Sequence, residues 1–343
     1  MAQLKHDYSD LILITGSSGF IGQNLCSYLN DLKLPFRRVC RNPIEGISSV
    51  SVGDIGPHTD WRRALEGVTH VVHLAARVHV MNDHLKDPLS LYNEVNALAT
   101  LQLAKMAASS GVKRFVFMST AKVHGEFTES ILHPSDPSIF HERLVPAPAD
   151  AYGLSKLQAE MGLRQIEAES GMEVVILRPP LVYGPRVRAN FLKLIRLVAS
   201  GFPLPFGQVK NIRSMIFLGN LISSIHSVLF HPRAAGKTFL VSDGRGISTL
   251  ELCREIAEHL NVPLRVFSTP NRMLLNLSKI LGKREVAERL LGSFHLDSAE
   301  IHKSLDWNPP FTFQEGVRAT VEWYVRETKR ANKQNLSYSS VQP

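Results

Sequence analysis

The chain has 343 residues, 44% of them hydrophobic, 20% charged and 8% aromatic, a balance that matches folded soluble domains and excludes a disordered chain, a collagen-like repeat and a coiled coil. Its 39 Lys and Arg against 31 Asp and Glu leave a net charge of +8 without a block of like charges, which suits a small acidic partner; no basic stripe interleaved with aromatics argues for nucleic acid. No run approaches the ~18 continuous apolar residues of a membrane span. The three scattered cysteines, Cys26, Cys40 and Cys253, have neither zinc nor disulfide spacing, so a reducing cytoplasm and no metal are expected.

Met1 to Asp10 is polar and the apolar run after it stops at Thr15-Gly16, which reads as a first strand and not a signal peptide. Strands are expected at Leu11–Thr15, Phe36–Cys40, His70–Leu74, Arg114–Ser119 and Glu173–Leu177. Helices are expected at Gly19–Leu32, Trp61–Leu65, Leu89–Ser110, ending at Gly111, and Ala149–Ser170. This alternation predicts an α/β chain with a Rossmann-type doubly wound parallel sheet over residues 1–180.

After Pro180 the rhythm breaks, with Gly and Pro clustered at 183–185 and 201–205. Residues 181–330 read as a smaller, irregular substrate lobe, partly interleaved with the sheet. It carries helices at Phe191–Ala199, Gly219–Phe230 and Thr249–Leu260 and a strand at Thr238–Val241. Asn271 to Leu291 is apolar at helical spacing, with Lys279, Lys283, Arg284 and Arg289 interspersed. Such a segment can lie on a membrane, but the expectation is a surface helix pair with its apolar face on the core. Residues 331–343 are polar and expected to fray.

Directly after the first strand stands Gly16-Ser17-Ser18-Gly19-Phe20-Ile21-Gly22, opening a helix. Glycines let a backbone approach a pyrophosphate, and the unpaired N–H groups and positive end of a helix starting there face that charge. After the second strand, where an NAD site carries Asp or Glu for the ribose hydroxyl, the chain has Cys40-Arg41-Asn42-Pro43. Arg41 suits a 2′-phosphate, so NADP is expected over NAD, with NAD the alternative. Asp54, beside Ile55, is placed to face the adenine.

Tyr152-Gly-Leu-Ser-Lys156 puts a phenol and an ammonium one helical turn apart. The ammonium is expected to lower the phenol toward working pH, where it can exchange a proton with a substrate oxygen.

The glycine turn, Val71-Val72-His73-Leu74-Ala75-Ala76, the Asn96 helix, Phe115 to Thr120, Tyr152-x-x-x-Lys156 and Arg178-Pro179-Pro180-Leu181-Val182-Tyr183-Gly184-Pro185 occur in this order. Together they resemble the extended short-chain dehydrogenase/reductases that act on nucleotide sugars, over roughly residues 10 to 330. The resemblance implies that Tyr152 is the acid/base, that Lys156 binds the nicotinamide ribose, and that Thr120 bonds the reacting sugar oxygen. It adds Leu74, Ala75, Ala76 and Pro179 to the cofactor site, and sets Lys122, Asn190 and Arg213 with Thr120 against a UDP-sugar. It implies a homodimer through paired helices, here Leu89–Ser110 with Ala149–Ser170.

Where dehydratases of that group carry Asp-Glu after the Thr, this chain has Ala121-Lys122, which argues against dehydration and decarboxylation. His124 replaces a customary Tyr and reads as a packed histidine. Two reactions need only Tyr, Lys, Thr and a nicotinamide: reduction of a 4-keto sugar nucleotide, and 4-epimerisation of UDP-glucose or UDP-N-acetylglucosamine. Arg41 tilts the reading to the reductase. Likeness at Ala76-Arg77-Val78-His79-Val80-Met81, 190–192 and 239–244 is to bacterial surface-polysaccharide enzymes, some of which reduce a UDP-4-keto-6-deoxy-N-acetylhexosamine. A non-catalytic dinucleotide-binding protein is the third reading, opposed by the intact Thr120, Tyr152 and Lys156.

Overall fold

The computed structural model describes residues 10–42, 49–78, 88–128 and 139–339. Pro43 and His79, Val80 and Met81 of the motifs above lie outside them. Seven parallel strands form one sheet: β1 (Ile12–Thr15), β2 (Phe36–Cys40), β3 (Ser49–Ser51), β4 (His70–His73), β5 (Arg114–Met118), β6 (Glu173–Arg178) and β9 (Thr238–Leu240), in the order β3-β2-β1-β4-β5-β6-β9. Two more, β7 (Leu181–Tyr183) and β8 (Met215–Phe217), pair in parallel apart from it. The expected strands match to within a residue or so at their ends, where frayed ladders are always ambiguous. β1, β4 and β5 are buried along their whole length, as strands covered on both faces must be.

The alternation within each strand divides the core. Ile12 and Ile14 point into one cluster with Leu25, Leu29 and Ile225, whereas Leu13, Val71 and Phe115, paired in register across three strands, point into the other with Leu103 and Leu163. The first face is covered by α1 (Phe20–Asp31) and, later in the chain, α7 (Leu218–Phe230). The second is covered by α2 (Arg62–Leu65), α3 (Pro88–Asn93), α4 (Ala99–Ser109) and α5 (Ala151–Ser170). The single helix expected over 89–110 is interrupted by a π-turn at Glu94–Leu98. Such a turn rotates one residue out of the helical register, and here that turn holds Asn96.

The lobe adds α6 (Ala189–Ala199), α8 (Thr249–Leu260), α9 (Asn271–Ile280), α10 (Arg284–Leu291), α11 (Ala299–Leu305) and α12 (Phe313–Ser339). It interleaves with the sheet through β9, which extends the ladder beyond β6. A third cluster, with Phe191, Ile195, Ile256 and Val317, is the lobe's own core. Two expectations change. The tail is helical through Ser339, because Lys329–Ser339 contains helix formers and neither Gly nor Pro to end the run. The segment Asn271–Leu291 is a helix pair broken at Gly282, whose φ is +64°, but its apolar residues do not all face the core: α9 has none buried.

Candidate functional site

The strand order reverses direction between β1 and β4, and ligands of open α/β sheets bind beyond the carboxyl ends of the strands at such a point. Gly16 leaves β1 with φ +65°, and a Cβ there would lie 2.7 Å from the Ala75 backbone nitrogen. A Cβ on Gly22 would lie 2.2 Å from the Gly16 carbonyl oxygen. The turn is therefore closed tightly on itself and against the residues after β4. Ser17 is buried and donates to the Val39 carbonyl at 2.7 Å, tying the turn to β2. α1 starts after Gly19 without a side-chain cap; the Gly19 N–H turns back onto the Gly16 carbonyl at 2.9 Å, and Ser18 and Gly19 are exposed, so the positive end of the helix opens at the surface where a pyrophosphate would lie. Phe20 and Ile21 turn inward onto the core.

At the end of β2, Arg41 pairs with Asp54 at 2.6 Å, and both side chains are largely exposed. Ile55 packs beside them against the core. Leu74, Ala75 and Ala76 leave β4 half-buried, with the Ala75 N–H donating to Thr15 Oγ1 at 3.2 Å. These residues line one edge and fit a dinucleotide laid across the switch point.

Thr120 leaves β5 in extended backbone and caps the short 3-10 turn Ala121–His124. The Ala121 N–H donates to the Pro179 carbonyl at 2.9 Å, joining the ends of β5 and β6. α5 is capped by Asp150, whose Oδ1 accepts from the Gly153 N–H at 2.6 Å, and ends at Gly171 in the left-handed region. That cap sets Tyr152 in the first turn and Lys156 one turn deeper.

Lys156 is buried. Its Nζ donates to the Met118 carbonyl at 2.8 Å and sits 4.5 Å from the centroid of Phe117. Burial pushes its ammonium down to about 7, with Glu160 opposing. The expectation that Lys156 lowers the Tyr152 phenol is not met here. Burial, then Asp150 and Tyr92, raise that phenol, and Lys156 Nζ is turned to the Met118 carbonyl and makes no hydrogen bond to Tyr152 among the described residues. Tyr92 packs edge-on to Tyr152 with centroids 6.3 Å apart.

Three supports hold this centre that sequence spacing did not disclose. Asn96, fully buried in the π-turn, accepts from the Arg77 N–H at 2.8 Å, donates to the Arg77 carbonyl at 3.0 Å and donates to Ser155 Oγ at 3.0 Å. It clasps the loop after β4 to the helix of Tyr152. Glu160 accepts from Arg178 Nε at 3.0 Å and from the hydroxyl of Ser119, joining α5, β6 and the residue before Thr120. Lys122 donates to Glu126 and, at 2.7 Å, to Asp150, which locks the Thr120 turn to the start of α5. Only Asp150 carried a local signal, an N-cap residue type directly before a helix.

His124 is buried and stacked on Phe140 with centroids 5.5 Å apart, and its Nε2 lies 2.9 Å from Arg178 Nη1. Burial, then Arg178, pushes it down to about 4, so it is neutral in the packed core. From the lobe, Arg213 lies over Phe294 and donates to the Gly292 carbonyl at 2.9 Å. Burial lowers it to about 10, with the carboxylate of Glu126 opposing. Glu126 thus bonds Lys122 and is near enough to act electrostatically on Arg213. Asn190 is not drawn in: it stands exposed in the first turn of α6 and makes no hydrogen bond among the described residues.

A family model for the NAD dependent epimerase/dehydratase family matches residues 12–242. The chain is similar to UDP-glucose 4-epimerase of Vibrio cholerae, 43% identical over 324 residues that cover 93% of this chain and 97% of that protein. Among solved structures it resembles the UDP-glucuronic acid 4-epimerase of Bacillus cereus in complex with NAD, with a TM-score of 0.72, 20% identity, and 92% and 99% of the two chains covered. It also resembles RMD of Pseudomonas aeruginosa complexed with NADPH, with a TM-score of 0.68, 24% identity, and 92% and 99% covered. These two likenesses bear on the fold alone. With the glycine turn, the capped Tyr152 helix and the Thr120 turn gathered at one switch point of a seven-stranded parallel sheet, the chain is an enzyme of the NAD dependent epimerase/dehydratase family.

Proposed function

We propose that this enzyme carries out hydride chemistry at C4 of a UDP-sugar, running as an NADPH-dependent reductase of a UDP-4-keto-6-deoxy-N-acetylhexosamine for surface-polysaccharide synthesis. The observation that carries the reductase reading is Arg41, an exposed guanidinium at the end of β2 where a carboxylate would select the unphosphorylated ribose. Its bond to Asp54 leaves further N–H donors of the fork free to meet a phosphate.

When bound, a reduced nicotinamide supplies a hydride. The chain's own residues do the rest. Tyr152 Oη delivers a proton to the C4 oxygen as the carbonyl becomes an alcohol, and Thr120 Oγ holds that oxygen in place. Lys156, ionising close to neutral pH, exchanges its Met118 bond for the ribose and helps the phenol give up its proton. Arg213 and Lys122 meet the diphosphate; until it arrives Lys122 is held by Glu126 and Asp150, and Arg213 by the Gly292 carbonyl. Ala121-Lys122 leaves the site without the acid and base of a dehydratase. The enzyme is expected to act in the cytoplasm as a homodimer.

The Vibrio cholerae relative favours a second reading, a UDP-hexose 4-epimerase. The two separate by the fate of the cofactor, which an epimerase recycles and a reductase consumes. Mass spectrometry of the dinucleotide released from freshly purified, denatured protein decides between them. A protein that arrives empty and takes up NADPH supports the reductase; near-stoichiometric NAD supports the epimerase.

A further inference from the structure

α9 has two apolar sides. Leu274 and Leu275 pack against the lobe core, but the outward side carries Met273, Leu277 and Ile280 at helical steps, followed by Leu281, and these are 61%, 50%, 82% and 60% exposed. Four large apolar side chains in one stripe are not the scattered surface leucines of an ordinary monomer. The segment from 271 to 284 has no Asp or Glu. Of its cations, Arg272, Lys279 and Lys283 make no ion pair among the described residues, whereas Arg284 and Arg289 are held by Glu288 and Glu285.

We propose that α9 is a surface anchor that lays this stripe on an anionic phospholipid bilayer, with the helix in the plane of the interface and the three free cations among the headgroups. A ten-residue helix is too short to span hydrocarbon but suits interfacial binding, where an apolar face and basic side chains act together. The charge selects the occupant. A second copy of this chain docked through the same stripe would bring three more cations to a patch with no Asp or Glu over 271–284, and like charges at close range oppose that contact. An anionic headgroup layer answers the same charges.

The anchor lies next to the substrate side of the molecule. α10 follows it and leads directly to Gly292, whose carbonyl accepts from Arg213. Docking through α9 therefore holds the lobe end of the site near the membrane surface. This inference is independent of which C4 reaction the site performs.

The test is co-sedimentation of the full-length protein with vesicles of phosphatidylcholine alone and of phosphatidylcholine mixed with phosphatidylglycerol. The protein is expected to pellet with the mixed vesicles only, less so as salt rises. Ile280→Asp and, separately, the double variant K279E/K283E are each expected to weaken that partition about tenfold, with unchanged thermal unfolding midpoints because every altered side chain is exposed. The proposal is overturned if the wild type stays in the supernatant with both vesicle types, or if wild type and variants pellet alike. It is equally overturned if Ile280→Asp instead converts a dimer to a monomer in sedimentation velocity while vesicle binding is unaltered, which would assign the stripe to a second copy.

Discussion

The sheet and the lobe position side chains by different means. In the sheet, Thr120, Lys156 and the glycine turn stand at or beside the ends of long-paired strands, and the register of the ladder sets where each arrives. The lobe has strands of three residues, and its geometry comes from single polar side chains that answer several backbones at once. Asp243 accepts from Tyr183 Oη at 2.9 Å, from Asn220 Nδ2 at 2.7 Å and from the Phe217 N–H at 2.9 Å. Asn211 Nδ2 donates to the Leu290 and Gly292 carbonyls at 3.1 and 3.0 Å while its Oδ1 accepts from the Thr249 N–H at 3.0 Å. On the proposed reading, the chemistry would sit on a frame that tolerates little change, and substrate selection on knots that a few substitutions can retie.

The largest expected effect breaks the chemistry and spares the frame. Tyr152→Phe removes the proton donor from a half-buried ring that keeps its packing against Tyr92, so turnover should fall about a thousandfold. Dinucleotide affinity and unfolding midpoint should hold. Turnover within a few-fold of wild type would show that another group moves the proton.

Asp243→Ala is the converse case. It leaves three donors without their acceptor and should cost about 3 kcal/mol in urea unfolding. The rate per folded molecule should change little, because the Asp150 cap and the Asn96 clasp that hold the helix of Tyr152 are untouched. A collapse of that rate with stability preserved would mean that the lobe knot sets the catalytic geometry after all.

A smaller effect distinguishes Lys156 by pH. Its ammonium ionises near 7 in the folded chain and near 10.5 when unfolded, so the unfolded chain binds the extra proton between those values. The burial penalty on stability is complete below about pH 7 and fades as pH rises toward about 10. Above that, the raised Tyr152 and Tyr183 phenols reverse the trend. Lys156→Met should flatten the rise between pH 7 and 9.5 in denaturant titrations; an unchanged slope would contradict the buried-ammonium reading. The smallest expected effect is Arg41→Gln, which should cut preference for NADPH over NADH about tenfold without altering the unfolding midpoint, as read from initial rates with each cofactor.

The sheet half was legible because its signals are local. A short apolar run, a glycine turn one residue later and a Tyr-x-x-x-Lys step need no knowledge of distant residues, and each landed where the pattern put it. The supports were not legible, since Asn96 meets Ser155 and Glu160 meets Arg178 only after strands between them have paired. The lowered phenol failed for a related reason: spacing put Lys156 on the same helical face as Tyr152 but could not show the ring buried beside Asp150 and Tyr92, which raise it. Glu126 had no motif at all, and its bond to Lys122 is set by the turn that follows Thr120. The outward apolar stripe of α9 was visible as periodicity, but periodicity does not say which of two apolar sides meets the core.

The most direct test of the account is the transfer of deuterium from deuterated NADPH to a UDP-4-keto-6-deoxy-N-acetylhexosamine, followed by NMR of the product. The account predicts one deuterium at C4 for each NADPH oxidised, lost in Tyr152→Phe. Interconversion of UDP-hexose epimers with no label incorporated and no NADPH consumed would contradict it and establish the epimerase in its place.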